Sequence, residues 1–202
     1  MATEVQEREY QGVQAPPVGT YTLDPSHTTI GFVAKHMMFT KVRGHFAEFD
    51  GTIVVGETPE ESAASVTMKV ESLTTGVEQR DAHLRSADFF EVETYPTITF
   101  ETTGVEWVGA NRLRVAGELT IRDVTRPVVL DAEYEGSTVD PWGGFRIGFS
   151  AGTEVDRVDW GITWNVALET GGLLVSKKIV LEIETQAVLR QEAGSEALAQ
   201  AS

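Results

Sequence analysis

The chain contains no cysteine, which removes disulfides, thiol nucleophiles and thiolate metal sites from consideration while leaving either redox compartment open. No stretch approaches the roughly 20 consecutive apolar residues that a membrane-crossing helix needs. Positive charge is scarce as well: 16 Lys and Arg stand against 31 Asp and Glu, for a formal net charge of −15. So acidic a surface repels phosphate backbones and anionic bilayers. Nucleic acid is therefore not an expected partner, and membrane contact is expected to be transient at most. The opening residues MATEVQEREYQGVQAPP have neither the basic start nor the apolar stretch of a secretory signal, so the expected location is cytoplasmic.

What is present suits one domain. The length of 202 residues is close to that of a single all-β barrel, and 41% apolar residues are enough to fill a core. The polar start and the ending QEAGSEALAQAS offer little to bury. The expected organisation is a flexible segment 1–17, a folded unit 18–189 and a flexible tail 190–202.

Within that unit apolar residues recur with a period of two, as in strands with one face in a core. The alternation runs through Ile30, Phe32 and Ala34; Val66, Met68 and Val70; Leu113, Val115, Leu119 and Ile121; and Phe145, Ile147 and Phe149. Further strands are expected over Tyr21–Asp24, Arg43–Val55, Pro96–Glu106, Pro127–Tyr134 and Lys178–Val188, about eight or nine in all. Asp50-Gly51, Gly109-Ala110-Asn111, Glu135-Gly136-Ser137, Gly143-Gly144 and Gly171-Gly172 supply turn chemistry between them. One helix is expected over Gln79–Phe90, stopped by Tyr95-Pro96, and a short turn over Thr58–Ser62. Many short antiparallel strands settle either as two stacked sheets or as a closed barrel, and periodicity does not choose between these.

Four blocks of the sequence together resemble the YceI family of lipocalin-like polyisoprenoid-binding proteins. The first is Asp24-Pro25-Ser26-His27-Thr28-Thr29-Ile30-Gly31-Phe32, continuing through Lys35-His36 and Val42-Arg43-Gly44-His45-Phe46 to Phe49-Asp50-Gly51. The second is Arg80-Asp81-Ala82-His83-Leu84-Arg85-Ser86-Ala87-Asp88-Phe89-Phe90, the third runs from Gly117 to Val128, and the fourth joins Phe149-Ser150-Ala151 to Arg157-Val158-Asp159-Trp160-Gly161-Ile162. The blocks span about Gly19 to Leu189. The resemblance implies an all-β fold: an extended eight-stranded antiparallel barrel with one or two short helices and an interior holding a long isoprenoid chain. It also implies a homodimer. Two positions depart from the family pattern: Arg122-Asp123 stands where glycine usually follows Thr-Ile, and Trp160-Gly161 where Phe-Gly is common.

On this reading Phe32, Phe46, Met68, Phe100, Phe145, Phe149, Trp160, Ile162 and Trp164 are candidates for the wall of a lipid cavity, though alternation alone makes them equally an ordinary core. His36, His83, Leu84 and Phe89 are candidates for its rim, with the Arg80–Phe90 element as a lid. Met37 and Met38 add adaptable lining if they face inward. His27, His36, His45 and His83 are read as structural rather than metal ligands, since His27 and His36 are nine residues apart and fall on opposite faces of a regular strand. Asp24 to His27 is read as a strand-entry turn rather than a catalytic set, Arg85 and Asp88 as a helical ion pair, and Arg157 with Asp159 as an ion pair on one strand face. No cofactor and no enzymatic activity are expected. The leading expectation is a binding module that carries, stores or shields a polyisoprenoid or isoprenoid quinone. The alternatives are an enzyme using His27, His36 or Asp24 on a small hydrophobe, and a stress-related dimer whose bore is filled by Trp142, Trp160 and Trp164.

Overall fold

The computed structural model describes residues 8–169 and 172–190. The strands are β1 (Arg8–Tyr10), β2 (Val13–Ala15), β3 (Gly19–Leu23), β4 (Thr29–His36), β5 (Thr40–Phe46), β6 (Phe49–Val55), β7 (Ala63–Lys69), β8 (Leu73–Thr74), β9 (Thr97–Gly109), β10 (Arg112–Ile121), β11 (Val124–Val139), β12 (Phe145–Asp156) and β13 (Lys178–Leu189). The helix α1 (Glu78–Arg85) lies between β8 and β9.

Closure depends on β13, whose two edges are both paired. One edge runs beside β12 from Arg146 opposite Val188 to Asp156 opposite Lys178. The other takes β3 near its end, with Leu23 opposite Ala187, and β4 near its start, with Ile30 opposite Ile183. β3 and β4 are thus halves of one long strand interrupted at the turn from Asp24 to Thr28. The Asp24 carboxylate accepts the Ser26 N–H and meets His27 Nδ1, each at 2.9 Å, as the strand-entry reading anticipates. β5 with β6, and β7 with β8, are interrupted in the same way. The result is eight antiparallel strands in chain order around a closed barrel.

The inward face follows the sequence alternation, with one correction of phase. Ile98, Phe100 and Thr102 point into the barrel on β9, and so do Val105 and Trp107. The change from even to odd positions occurs where Gly117 faces Thr102 but Ala116 faces Gly104, which leaves Thr103 as a bulged extra residue.

The structure corrects the bounds of the helix, and described residues of both expected terminal segments contact the barrel. The helix ends at Arg85 rather than reaching Phe90, because Ser86 is extended (ψ 173°) with its hydroxyl on His83 O at 2.7 Å, and Glu91 turns the chain at φ 51°. The turn at Thr58–Ser62 is present as a single 3-10 turn, Pro59–Glu61. The segment before Val18 is not free of the fold: β1 and β2 form a hairpin whose Tyr10 ring lies 5.9 Å from that of Trp107, while Arg8 donates to Gly56 O at 2.8 Å. Strands of three residues are too short to register as a period in the sequence. Arg190, the first residue of the expected tail, donates to the hydroxyls of Thr22 and Thr52 at 2.7 and 2.8 Å. Residues 1–7 and 191–202 of the expected terminal segments, and Gly171 of the expected Gly171-Gly172 turn, lie outside the described residues.

Candidate functional site: an apolar cavity along the barrel

The barrel axis holds a cavity of about 320 Å³ whose wall is almost entirely carbon. Alternate residues line it along the main strands: Ile30, Phe32 and Ala34 from β4, Val66 and Met68 from β7, Leu113, Val115, Leu119 and Ile121 from β10, and Leu181 and Ile183 from β13. Two glycines make room for aromatic rings in this wall. A Cβ on Gly44, opposite Phe32, would stand 2.4 Å from that ring, and a Cβ on Gly117 would stand 2.4 Å from the ring of Phe100. Both rings therefore lie across a neighbouring strand's backbone and line the bore.

At the end where β9 begins, the cavity is covered by α1 and the chain that follows it. Leu84, Phe89 and Phe90 face the cavity. His83 stands edge-on to both Phe89 and Trp164, with centroids at 5.1 and 4.6 Å, and its Nε2 meets Asp88 Oδ2 at 2.8 Å. Buried Asp81 anchors the start of the helix. Burial alone would push its carboxyl up, but hydrogen bonds from Thr75 and from the Thr74 hydroxyl outweigh that and hold it below the usual range. Arg80 turns back onto Thr75 Oγ1 and Thr75 O, at 2.7 and 3.0 Å, and so serves the loop rather than the cavity. Arg85 does not pair with Asp88, because the helix has ended. It donates instead to Leu73 O and Glu71 O at 2.6 and 2.9 Å.

The same end carries Arg157 to Ile162. The sequence reading placed Arg157 and Asp159 on one strand face, but Arg157–Trp160 forms a 3-10 turn closed by Gly161 at φ 72°. The two side chains do not pair. Arg157 instead donates to Ser176 O at 3.0 Å and Ile162 O at 2.6 Å, with its guanidinium carbon 6.0 Å from the centre of the Phe89 ring. Trp160 is 2% exposed and donates to Leu119 O at 3.0 Å. The opposite end is covered by the β1–β2 hairpin, which brings Arg8, Tyr10 and Ala15 to the cavity.

Of the residues singled out from the sequence, Phe32, Phe46, Met68, Leu84, Phe89, Phe100, Phe149, Trp160 and Ile162 lie on the cavity wall. Phe145 packs against the core outside the cavity. Trp164 and His83 sit behind Phe89, and His36 is exposed at the strand end, bridged to Val175. Met37 and Met38 do not face inward. They form the exposed turn between β4 and β5, both at positive φ, and only Met68 supplies thioether lining among the described residues. The four histidines do not converge, and no group of three metal-binding side chains occurs among the described residues. No described helix is long and apolar enough to cross a membrane. Sequence reasoning missed Arg8 and Tyr10, since nothing in a polar N-terminus signals a return to the barrel end.

A family model described as the YceI-like domain matches residues 21–187. A UPF0312 protein of Azotobacter vinelandii is 39% identical over 145 residues, covering 70% of this chain and 76% of that protein. Among solved structures, a YceI protein of Campylobacter jejuni is 31% identical, with a TM-score of 0.67 over 78% of this chain and 90% of its own. A polyisoprenoid binding domain from Saccharophagus degradans shares the fold at 17% identity, with a TM-score of 0.65 over 84% of this chain and 98% of its own. Sequence and closed barrel lead to the same assignment: the chain belongs to the YceI-like domain family.

Proposed function

We propose that this barrel binds and carries a long apolar lipid of the polyisoprenoid or isoprenoid-quinone type, shielding it from water. The observation that carries this is the carbon-walled cavity along the axis. An apolar chain entering it gains roughly 25 cal/mol for every Å² withdrawn from water, so affinity grows with chain length without specific polar contacts. The Saccharophagus degradans structure of the same fold, a polyisoprenoid binding domain, supports the same reading.

The wall also favours carriage over chemistry. Among the described residues lining the cavity there is no Asp, Glu or His to form an acid–base pair, and Asp24 and His27 lie at the strand-entry turn instead. A bore filled by tryptophans is not supported either. Trp142 is 87% exposed, Trp164 sits behind Phe89, and Trp160 alone of the three reaches the cavity. A homodimer is part of the proposal and rests on the family resemblance.

The test is native mass spectrometry and solvent extraction of protein purified from its own host. A stoichiometric isoprenoid is the expected result. Protein that carries no lipid from the host, and that takes up neither an isoprenoid alcohol nor a quinone on incubation, would end the proposal.

A further inference from the structure

The guanidinium groups of Arg122, Arg146 and Arg157 are largely withdrawn from water, and the first two are neutralised. Arg146 meets the carboxylates of Asp24 and Asp140, and Arg122 meets Glu91. Arg157 is the most deeply buried of the three, at 6% exposed, and among the described residues no carboxylate pairs with it. Its acidic neighbour Asp156 accepts the N–H of Val158 at 3.0 Å instead. The two bonds Arg157 makes run to neutral carbonyls, Ser176 O and Ile162 O, which use two of the five N–H donors a guanidinium carries. A buried cation without a counter-ion is a costly arrangement. Burial depresses the proton affinity of this group below its ordinary value, with Asp156 opposing only in part.

The position of this charge gives it a use. Arg157 borders the apolar cavity at the end covered by Phe89 and Phe90, where it is the one cationic side chain among the described lining residues besides Arg8. Arg8 lies at the opposite end, is only half-buried and is engaged with the carbonyls of Gly56 and Glu57. We propose that Arg157 is the head-group site of the cavity, taking the carboxylate or phosphate of an amphiphile whose apolar chain lies along the barrel. The inference rests on the cavity being a lipid site and adds to it a polarity: chain toward the β1–β2 hairpin, anionic head at the Arg157 turn. The pairing resolves two costs together. The ligand anion leaves water only because a fixed cation receives it, and the fork of Arg157 suits two oxygens on one centre. The net charge of −15 opposes any anion, so a preference for anionic amphiphiles must come from a local site.

The experiment compares three ligands with one chain: geranylgeraniol, geranylgeranoic acid and geranylgeranyl phosphate, titrated against the wild-type protein and the variants R157M, R157K and R8M. The acid and the phosphate separate the two head groups, and folding is checked by circular dichroism and thermal melting. The wild type is expected to bind at least one anion about tenfold or more tightly than the alcohol. R157M is expected to lose that preference, R157K to keep part of it, and R8M to keep all of it. Equal wild-type affinity for the alcohol and both anions overturns the proposal, as does a preference that survives in folded R157M or disappears in R8M. If R157M does not fold, the wild-type preference and the R8M result decide. Wild-type protein that binds none of the three ligands instead removes the lipid-binding reading itself, an outcome distinct from loss of head-group preference.

Discussion

The guanidinium of Arg122 pairs with the carboxylate of Glu91 and lies over the ring of Tyr95, 5.6 Å from its centre, although its own backbone is held at φ 59°. The family resemblance places glycine where Arg122 stands, at the first position of the two-residue turn between β10 and β11. The left-handed backbone costs a non-glycine residue about 1–2 kcal/mol. Here the side chain offsets that cost by fastening the chain after α1 to the barrel end. In urea unfolding, R122A keeps the strain and loses both contacts, so it is expected to be the least stable form. R122G should exceed it by about 1 kcal/mol, with the wild type above both. A wild type no more stable than R122A would mean that the fastening contributes nothing.

Asp24 gives a defined acid limb to stability. The hydrogen bond from Arg146, helped by His27 and the Ser26 N–H, lowers its carboxyl from 3.8 to about 2. Because the folded value is depressed, the stabilisation is full above the unfolded value of about 3.9 and is lost as pH falls toward 2. D24N is expected to lower stability at neutral pH by about 1–2 kcal/mol, allowing for solvent screening. The gap to wild type should close between about pH 4 and pH 2. A gap independent of pH across that range would show that the carboxylate's charge is not what Arg146 reads.

Gly117 tests the shape of the bore. A Cβ there stands 2.4 Å from Phe100 Cζ and 2.7 Å from the backbone oxygen of Glu101, so the ring has to swing and the strand has to shift. G117A is expected to cost about 1–3 kcal/mol in thermal unfolding, as overpacked sites do, and to weaken uptake of an isoprenoid alcohol. Unchanged uptake by folded G117A would place the ligand away from Phe100.

The β1–β2 hairpin closes one end through Tyr10 on Trp107 and Arg8 on Gly56. It precedes residues 21–187, the part matched by the family model. Y10A combined with R8A is expected to leave the melting temperature nearly unchanged and to speed the release of Nile red by several-fold. The rate is read by stopped-flow dilution into vesicles. Equal release rates would show that exchange does not use that end.

Much of the barrel was legible because alternation is a local property: Leu113, Val115, Leu119 and Ile121 had to share a face whatever they faced. Closure was not, because it depends on Ile183 meeting Ile30 and Ala187 meeting Leu23 across more than 150 positions of chain. Nor does a run of inward side chains reveal whether they meet in the middle, so a filled bore and a cavity read alike in sequence. The bulge at Thr103 shows the limit of a strict period, since Val105 and Trp107 keep the inward face only by an inserted residue. Arg157 was misplaced for a related reason. A turn closed by a left-handed Gly161 puts the side chain where no strand alternation would send it, and its lack of a carboxylate partner is visible only in three dimensions. The exposed Met37-Met38 turn likewise depends on backbone angles that composition does not report.

The chain from Val77 to Tyr95 closes its backbone hydrogen bonds on itself, as in Asp81 to Val77, Phe90 to Leu84, Val92 to Arg85 and Tyr95 to Glu91. Side chains fasten it to the wall, chiefly Arg85, Arg122 and the rings of Phe89 and Phe90. The barrel ladder, by contrast, is continuous backbone from strand to strand. Two scales of cooperativity follow within one domain. The cap can lift as a unit while every rung of the cylinder stays intact, so its amides should lose protection against deuterium far below the free energy of global unfolding. A vessel built this way can open and reseal without risking the unfolded state.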